Sequence, residues 1–437
     1  GAAIAVGVGS VGAALPPPAE AAAALAANPA VPEVARLITG EGGKGAGAKD
    51  PEALLRYALP ISNEPSREVQ AILEEVPEKL KTPGTKGFNS IIKAAGSANG
   101  VIKKDRNAIL KDVTSTNKTA AAAILDDISA DLVALKDDVS TKKDNNKGGV
   151  GPKDQISEAS KDILRKMGAV EAMMVDGFPV SIPDKYAALP RLEGRATVAI
   201  DVDISTKGRV ISASVGNVST SYYLRNEGKK GGTNYNAQDT LRVTFVIDVD
   251  GYSAPITSGQ FVDLVSKGFY DGMDVQRADD FVVQTGDPDP RKGPHGFLDP
   301  EREDALRNVP LEIKRTVDKD PIYEATFEDL GYTLDTPQLP FNAFGTVAMA
   351  REQFNNNSGS SQFFVLLKES EITPTGLNLL DGSYSTFGYV VEGAEFLGDL
   401  RPGDKIVGAR VVDGMDNLKA GDPNAPLPEF DEFGGLL

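Results

Sequence analysis

The chain of 437 residues is long enough for two domains with extensions. It carries 63 acidic against 46 basic residues, and its net charge of −17 disfavours nucleic acid and anionic membrane surfaces as partners, because phosphate binding requires the opposite sign. Cysteine is absent and His295 is the only histidine, which excludes thiol catalysis, disulfides and thiolate metal sites. We therefore predict no metal and no cofactor, and we interpret His295 as a surface loop residue.

Residues 1–27 are small and apolar, with Glu20 as their single charge. They end in Ala-x-Ala steps just before Asn28, which is typical of a targeting segment at its cleavage site, although a disordered alanine-rich tail fits the same residues. Residues 28–50, which end in GEGGKGAGAKD, predict a flexible connector.

Helical periodicity marks residues 51–178. Asn63-Glu64-Pro65 is a helix start signal, and four segments then place apolar residues every three or four positions. These stripes are Val69, Ile72, Leu73 and Val76; Phe88, Ile91, Ile92, Ala95 and Ile102; Ala121, Ile124, Leu125, Ile128, Leu132, Leu135 and Val139; and Ile156, Ile163, Met167, Val170 and Met174. Because the other face of each helix is charged, we predict an acidic antiparallel bundle of about four helices. Coiled-coil seams for a partner are the alternative, but the stripes are too short for sustained heptads.

After Pro179 the period changes to that of strands. The predicted strands are 196–204, 210–215, 241–249, 281–284, 345–350, 362–367, 384–391 and 405–412, with helices at 254–264 and 394–400. Many strands with two helices indicate a closed antiparallel β-barrel capped at its ends. The acidic tail, residues 421–437, is predicted to be disordered.

Three ordered blocks carry the strongest signal. They are FYDGMDVQRADDFVVQTGDP (269–288), then FGTVAMAR (344–351) with SGSSQFFVLL (358–367), and finally LLDGSYSTFGYV (379–390). Together they resemble the cyclophilin family of peptidyl-prolyl isomerases, and the resemblance covers residues 190–415. It implies a multidomain α + β chain in which a helical bundle precedes a cyclophilin-like closed barrel.

The resemblance also implies chemistry at X-Pro bonds. Rotation about such a bond faces a barrier of about 18–20 kcal/mol, which falls when a donor binds the imide nitrogen once resonance is broken and an apolar slot holds the ring. By motif, Arg277 is the donor, Gln284 orients the peptide, and Ala350 supplies backbone that pairs with substrate. The implied substrate pocket consists of Phe281, Val282, Phe364, Leu379, Leu380 and Tyr384.

The chain departs from the family pattern within this pocket. Val282 replaces the family's methionine, Leu379 its tryptophan and Tyr384 its histidine. The interval from Arg277 to Gln284 is one residue shorter than usual. These departures favour binding over turnover. The matching positions, which favour turnover, are Arg277, Phe281, Gln284 and Phe364.

An insertion at 289–342 is longer than the corresponding family loop and rich in Pro, Asp and Glu. Because it joins the Gln284 strand to the Ala350 strand, its base must lie beside the peptide slot. We expect the insertion and one face of the helical bundle to govern access to the groove.

The bundle joined to such a barrel narrows the resemblance to the large cyclophilins of the plant and algal thylakoid lumen, which are linked to photosystem II assembly and repair. The strings that carry it are DPEALLRYALPI, MVDGFP, FYDGM, FVVQTGDP, PFNAFGT and LLKESEITP. It implies a location in the chloroplast thylakoid lumen, peripheral to the membrane at most. It also implies photosystem II core subunits as protein clients, through lumenal loops of an antenna subunit.

We therefore predict a lumenal chaperone that binds extended, proline-containing client segments with weak or lost isomerase activity. The alternatives are a fully active peptidyl-prolyl isomerase and a regulatory adaptor of a thylakoid protein phosphatase.

Overall fold

The structure is a computed structural model that describes residues 49–144, 150–206, 211–215, 218–221, 240–333, 335–368 and 379–430. The predictions for residues 1–27, for most of the 28–50 connector and for the tail after residue 430 lie outside the described residues.

The N-terminal part is helical. Its helices are α1 (Pro51–Ala58), α2 (Glu64–Glu74), α3 (Val76–Lys81), α4 (Thr85–Lys111), α5 (Lys118–Asp144) and α6 (Val150–Ala172). The Asn63 side chain accepts a hydrogen bond from the backbone N–H of Ser66 and caps α2, and Pro65 follows in the first turn. The start signal read at this position is confirmed.

Helices α2 to α6 pack around one apolar core. Each of the four predicted stripes contributes to it, through residues such as Leu73, Ile91, Leu125 and Met167, which are fully buried. Core packing is therefore confirmed as the role of these stripes.

The C-terminal part is a curled antiparallel sheet of eight strands. Its strands, in spatial order, are β15 (Lys405–Asp413), β2 (Arg195–Ser205), β5 (Thr240–Asp250), β14 (Thr386–Glu392), β12 (Thr346–Met349), β13 (Phe363–Leu366), β7 (Val282–Thr285) and β6 (Arg277–Ala278). Two-stranded pairs flank it: β1 (Arg191–Leu192) with β16 (Leu418–Lys419), β3 (Ser212–Val215) with β4 (Val218–Ser221), β8 (Leu298–Asp299) with β9 (Ala305–Leu306), and β10 (Glu312–Ile313) with β11 (Ile322–Tyr323).

The predicted closed barrel is not confirmed, because the sheet is an open half-barrel. Its end strands, β15 and β6, share no strand ladder among the described residues. The segment before β6 meets β15 through an isolated bridge between Asp274 and Lys405 and through backbone hydrogen bonds such as Val275 N–H to Asp404 O. Since β6 is only two residues long, it cannot extend a ladder to β15.

One face of the sheet packs on α7 (Pro255–Ser266), whose Phe261 contacts the rings of Phe363 and Phe387. The tail also lies against this core as far as residue 430, where the Phe430 ring stacks on Tyr186. The predicted disorder is therefore wrong for residues 421–430, because their apolar side chains are partly buried.

The insertion is anchored rather than loose. Glu312, in β10, is fully buried and accepts hydrogen bonds from the backbone N–H groups of Ile256 and Thr257 at the start of α7. Burial raises the pKa of Glu312 to about 7, against the lowering effect of these hydrogen bonds. Arg307 forms a second anchor through its ion pair with Asp263.

Helix α1 connects the helical part to the sheet. Leu54 and Leu55 share a buried apolar cluster with Leu339, Ala343 and Tyr389. On its other side, α1 is held to the bundle by buried charges, with Arg56 paired to Glu74 at 3.1 Å. No helix among the described residues is long and apolar enough to cross a membrane.

Candidate functional site

The predicted site residues that belong to strands lie on the face of the sheet opposite the main core; they are Arg277, Val282, Gln284 and Phe364. Pairing places Arg277 beside Gln284, Gln284 beside Phe364, and Phe364 beside Ala348, so that one row crosses β6, β7, β13 and β12. Cross-strand partners share a face. The alternation of the strands therefore brings Arg277, Gln284 and Phe364 onto one face of the sheet.

Arg277 forms an ion pair with Asp279 at the turn between β6 and β7. Its side chain is 58% exposed, and Nη2 lies 2.6 Å from Asp279 Oδ2. The other carboxylate oxygen accepts hydrogen bonds from the N–H groups of Phe281 and Val282. Although partial burial opposes ionisation, these bonds and Arg277 hold the pKa of Asp279 below its usual value. Asp279 thus both shapes the turn and restrains the guanidinium.

Gln284 belongs to a chain of polar contacts. Its Nε2 donates to Gln362 Oε1 at 2.9 Å, and Gln362 Nε2 donates to the carbonyl oxygen of His295 at 3.1 Å. His295 Nδ1 lies 2.9 Å from Oδ2 of Asp287, whose side chain is nearly buried. His295 is exposed on the surface as predicted, but its backbone helps to fix the amide of the predicted orienting residue.

The pocket positions Val282 and Phe364 are buried, in one apolar cluster with Phe341, Ala348 and Leu366. Three further predicted residues pack against this cluster: Ala350, Leu380 and Tyr384. The cluster leaves little open surface, since Phe364 is only 7% exposed.

Phe341, near the end of the insertion, covers Phe364. The two rings stack with centroids 6.0 Å apart and planes 10° apart, and Phe341 itself is 1% exposed. The Tyr384 ring meets Phe364 edge-on at 5.3 Å. A small cavity lined by Glu312, Phe341 and Tyr384 adjoins this stack. A proline ring can reach the face of Phe364 that Phe341 covers only if Phe341 moves.

Two predicted pocket residues lie outside the cluster. Phe281 is 53% exposed, with Lys368 Nζ 4.8 Å from its ring centroid, and Leu379 is 72% exposed. The predicted site therefore divides into a buried floor and an exposed apolar rim, Phe281 and Leu379, of which Phe281 lies on the turn after Arg277. Such a rim can contact an extended segment without enclosing a proline ring.

Sequence reasoning missed Phe341, Asp279 and Gln362. Asp279 follows Arg277 by two residues, and an aspartate at a turn often accepts hydrogen bonds from nearby backbone N–H groups, which is a usable signal. Phe341 lies in the apolar string PFNAF at the end of a polar insertion. An apolar string within a polar segment predicts that Phe341 is buried, but it does not predict which residues Phe341 contacts. Gln362 belongs to the block SGSSQFF, which carries the family resemblance, and this was a usable signal for its role.

The chemistry open to this site needs no bound group. Rotation about an amide requires neither nucleophile nor metal, only a donor and an apolar surface arranged for the twisted state. Among the described residues no group of three or more His, Asp or Glu side chains could hold a metal ion.

Two family models match the chain. One, described as "Peptidyl-prolyl cis-trans isomerase CYP38-like, PsbQ-like domain", matches residues 50–175, and the other, "Cyclophilin type peptidyl-prolyl cis-trans isomerase/CLD", matches residues 236–420.

Several proteins resemble the chain over most of its length. It is 42% identical over 406 residues to "Peptidyl-prolyl cis-trans isomerase CYP38, chloroplastic" of Arabidopsis thaliana, covering 93% of this chain and 81% of that protein. It is 39% identical to the "Putative thylakoid lumen peptidyl-prolyl cis-trans isomerase sll0408" of a Synechocystis strain, covering 88% of each. Identity to "Peptidyl-prolyl cis-trans isomerase CYP37, chloroplastic" of Arabidopsis thaliana is 28%, over 84% of this chain and 70% of that protein.

Proposed function

Because the chain belongs to the CYP38-like group of cyclophilin-type peptidyl-prolyl cis-trans isomerases, we propose that it acts mainly by binding rather than by turnover. It holds extended, proline-containing lumenal segments of photosystem II subunits during assembly and repair, and its isomerase activity is weak. The family and the location in the chloroplast thylakoid lumen, both predicted from the sequence, are confirmed by the relatives.

The covered pocket carries this proposal. Phe341 stacks on the ring of Phe364, which the family resemblance assigns to the proline pocket, and we propose that Phe341 fills part of the apolar slot for a proline ring. Stabilising a twisted X-Pro bond requires that slot, and displacing a buried phenylalanine costs free energy that the transition state must supply. Turnover is therefore slow.

The exposed rim supports binding. Phe281, on the turn that Asp279 forms after Arg277, presents exposed apolar surface, and Leu379 is a second exposed apolar residue. An extended segment can place apolar side chains on the rim and its backbone against the guanidinium of Arg277 and the amide of Gln284. Exposed apolar residues rimmed by polar ones are typical of protein-binding surfaces.

The insertion and helix α1 hold Phe341 in its position against Phe364. Leu339 and Ala343, which flank Phe341 in sequence, pack against Leu54 and Leu55 of α1. The backbone N–H of Phe341 also donates to Asp381 at 2.8 Å. The helical part thus buttresses the segment that closes the pocket, and access depends on both.

A peptide titration of the full chain tests the proposal. We expect a labelled proline-containing peptide from a lumenal loop of a photosystem II antenna subunit to bind at least about tenfold, or 1.4 kcal/mol, more tightly than its Pro→Ala version. Equal binding of the two peptides would contradict recognition of proline-containing segments. If neither peptide bound, lumenal loops of photosystem II subunits would be excluded as clients.

An active isomerase is the second candidate. Arg277 is more than half exposed and lies directly across from Gln284, so the polar half of the family's machinery is accessible. If Phe341 moves readily, this arrangement can catalyse X-Pro isomerisation. Rate measurements distinguish the two candidates, because tight binding accompanies slow isomerisation only in the first.

A further inference from the structure

Charge is distributed unevenly along the chain. Residues 49–175 contain 20 Lys and Arg against 19 Asp and Glu, a formal charge of +1, so the prediction of an acidic bundle is wrong and the remaining residues carry −18. Within the helical part, α4 alone has six basic residues and one acidic residue, Asp105. The net charge of the whole chain therefore does not describe the surface of this helix.

Three lysines of α4 lie in line before the helix kinks at Asp105, and a fourth, Lys111, follows the kink. Lys86, Lys93, Lys104 and Lys111 are separated by 7, 11 and 7 residues, which are close to two and three whole turns at about 3.6 residues per turn. All four are exposed. We call these four residues the lysine face of α4; Lys103, also exposed, lies at its edge.

The lysine face is poorly neutralised. Lys104 pairs with Asp105 at 3.5 Å, but its side chain is 82% exposed, so solvent screens the pair. The other three form no ion pair with a described residue. On the neighbouring helix α5, the exposed Asp126 is paired with Arg106 of α4, which lies off the face.

Small residues separate the lysines. Ser97, Gly96 and Gly100 are exposed there, and no described atom lies within 4 Å of a Cβ placed on either glycine. Glycine destabilises a helix interior relative to alanine, and no packing among the residues that the structure describes requires it here. The glycines instead leave a low strip between the lysines, so that a broad surface can approach all the ammonium groups together.

We infer that the lysine face docks on the anionic lipid headgroups of the membrane that bounds the lumen. Lys86, Lys93 and Lys104, which precede the kink at Asp105, span about 27 Å at about 1.5 Å per residue. The face carries no large exposed apolar residue of the kind that anchors a protein partner. A basic strip without such an anchor fits an anionic surface.

The acidic remainder of the chain does not oppose this docking. At physiological ionic strength the screening length is about 8 Å, far less than the length of α4, so carboxylates in the sheet do not cancel the lysines. The expectation that anionic membranes are unlikely partners was drawn from net charge alone. It does not apply to a face whose charge is local and of the opposite sign.

Co-sedimentation of the full chain with vesicles tests the inference. We expect binding to phosphatidylcholine vesicles that contain about 30% phosphatidylglycerol, no binding to pure phosphatidylcholine, and loss of binding in high salt. One lysine close to an anionic surface strengthens binding about fivefold. The double variant Lys93→Gln/Lys104→Gln should therefore bind about 30-fold more weakly.

The matched control is Lys161→Gln/Lys319→Gln, which removes the same charge from exposed lysines outside α4. We expect it to bind within about twofold of the wild type, since neither lysine belongs to the lysine face. Circular dichroism confirms that both variants fold. Equal loss in both variants, or no binding of the wild type to anionic vesicles, would overturn the inference. If Lys93→Gln/Lys104→Gln still bound the vesicles as the wild type does but lost binding to an acidic protein, the lysine face would be assigned to a protein partner instead.

Discussion

Phe341 stacks on Phe364 with the two ring planes only 10° apart, although the residues come from an insertion and from a central strand of the sheet. The contact buries one face of Phe364, a residue that the family resemblance assigns to the proline pocket. The similar proteins support the cyclophilin family and the thylakoid-lumen location of this chain. This contact is the feature from which we argue that binding dominates over turnover.

Shortening Phe341 should open the pocket. We expect Phe341→Leu to bind a proline-containing peptide more tightly than the wild type, because less side chain must be displaced, at a cost of about 1–2 kcal/mol in unfolding free energy. Peptide titration and chemical denaturation measure both quantities. Phe327→Leu, at another buried phenylalanine of the insertion, is the matched control and should change stability without improving affinity. Equal gains in affinity for both variants would show that general loosening is responsible.

Replacing Asp279 should destabilise the fold more than replacing Arg277. Arg277→Ala removes an exposed ion pair, which contributes about 0–1 kcal/mol, and should abolish the remaining isomerase activity. Asp279→Ala also leaves two backbone N–H groups of the turn without their acceptor, and should cost about 1–2 kcal/mol more. Urea denaturation with an isomerase assay checks both. A loss above about 2 kcal/mol in Arg277→Ala would make Arg277 a structural residue.

The secondary structure of both parts was accessible from periodicity, because buried faces impose periods of 3.6 and 2 on the sequence. Strands such as β2 and helices such as α5 fall close to their predicted limits for this reason. The open end of the sheet was not accessible, since β6 has only two residues and no alternation to read. The cover over the pocket was missed for a different reason. Phe341 lies in a short apolar string whose burial could be predicted, but its partner Phe364 is set by tertiary folding.

Glu312 should make stability depend on pH. Its pKa is raised by burial from 4.5 to about 7, so the folded state holds the proton more tightly than the unfolded state. Stability from this group is therefore greatest below about pH 4.5 and is lost as pH rises to about 7, by up to about 3 kcal/mol. Glu312→Gln stays neutral throughout. The unfolding free energy of the variant minus that of the wild type should rise over this window, and a pH-independent difference would contradict the assignment.

The limits of the sheet domain can be tested with two fragments. A fragment of residues 190–415, the predicted boundaries, lacks buried Tyr186 and Leu189, the strand β16 and the packed Phe430. Fully burying one large apolar side chain stabilises by about 1.5–3 kcal/mol, so a fragment of residues 178–430 should be several kcal/mol more stable. Thermal melts of the two fragments measure this. Equal melting temperatures would mean that the flanking segments contribute nothing.

The rate of X-Pro isomerisation by the full chain tests the central claim most directly. In a protease-coupled assay, with an ordinary single-domain cyclophilin measured alongside, we expect a catalytic efficiency more than about tenfold lower for the wild type, a difference of at least about 1.4 kcal/mol in barrier. We expect Phe341→Leu to recover part of that difference, because the slot over Phe364 is then open. A wild-type efficiency within about tenfold of the ordinary enzyme would contradict the claim that the covered pocket makes this chain a binding protein.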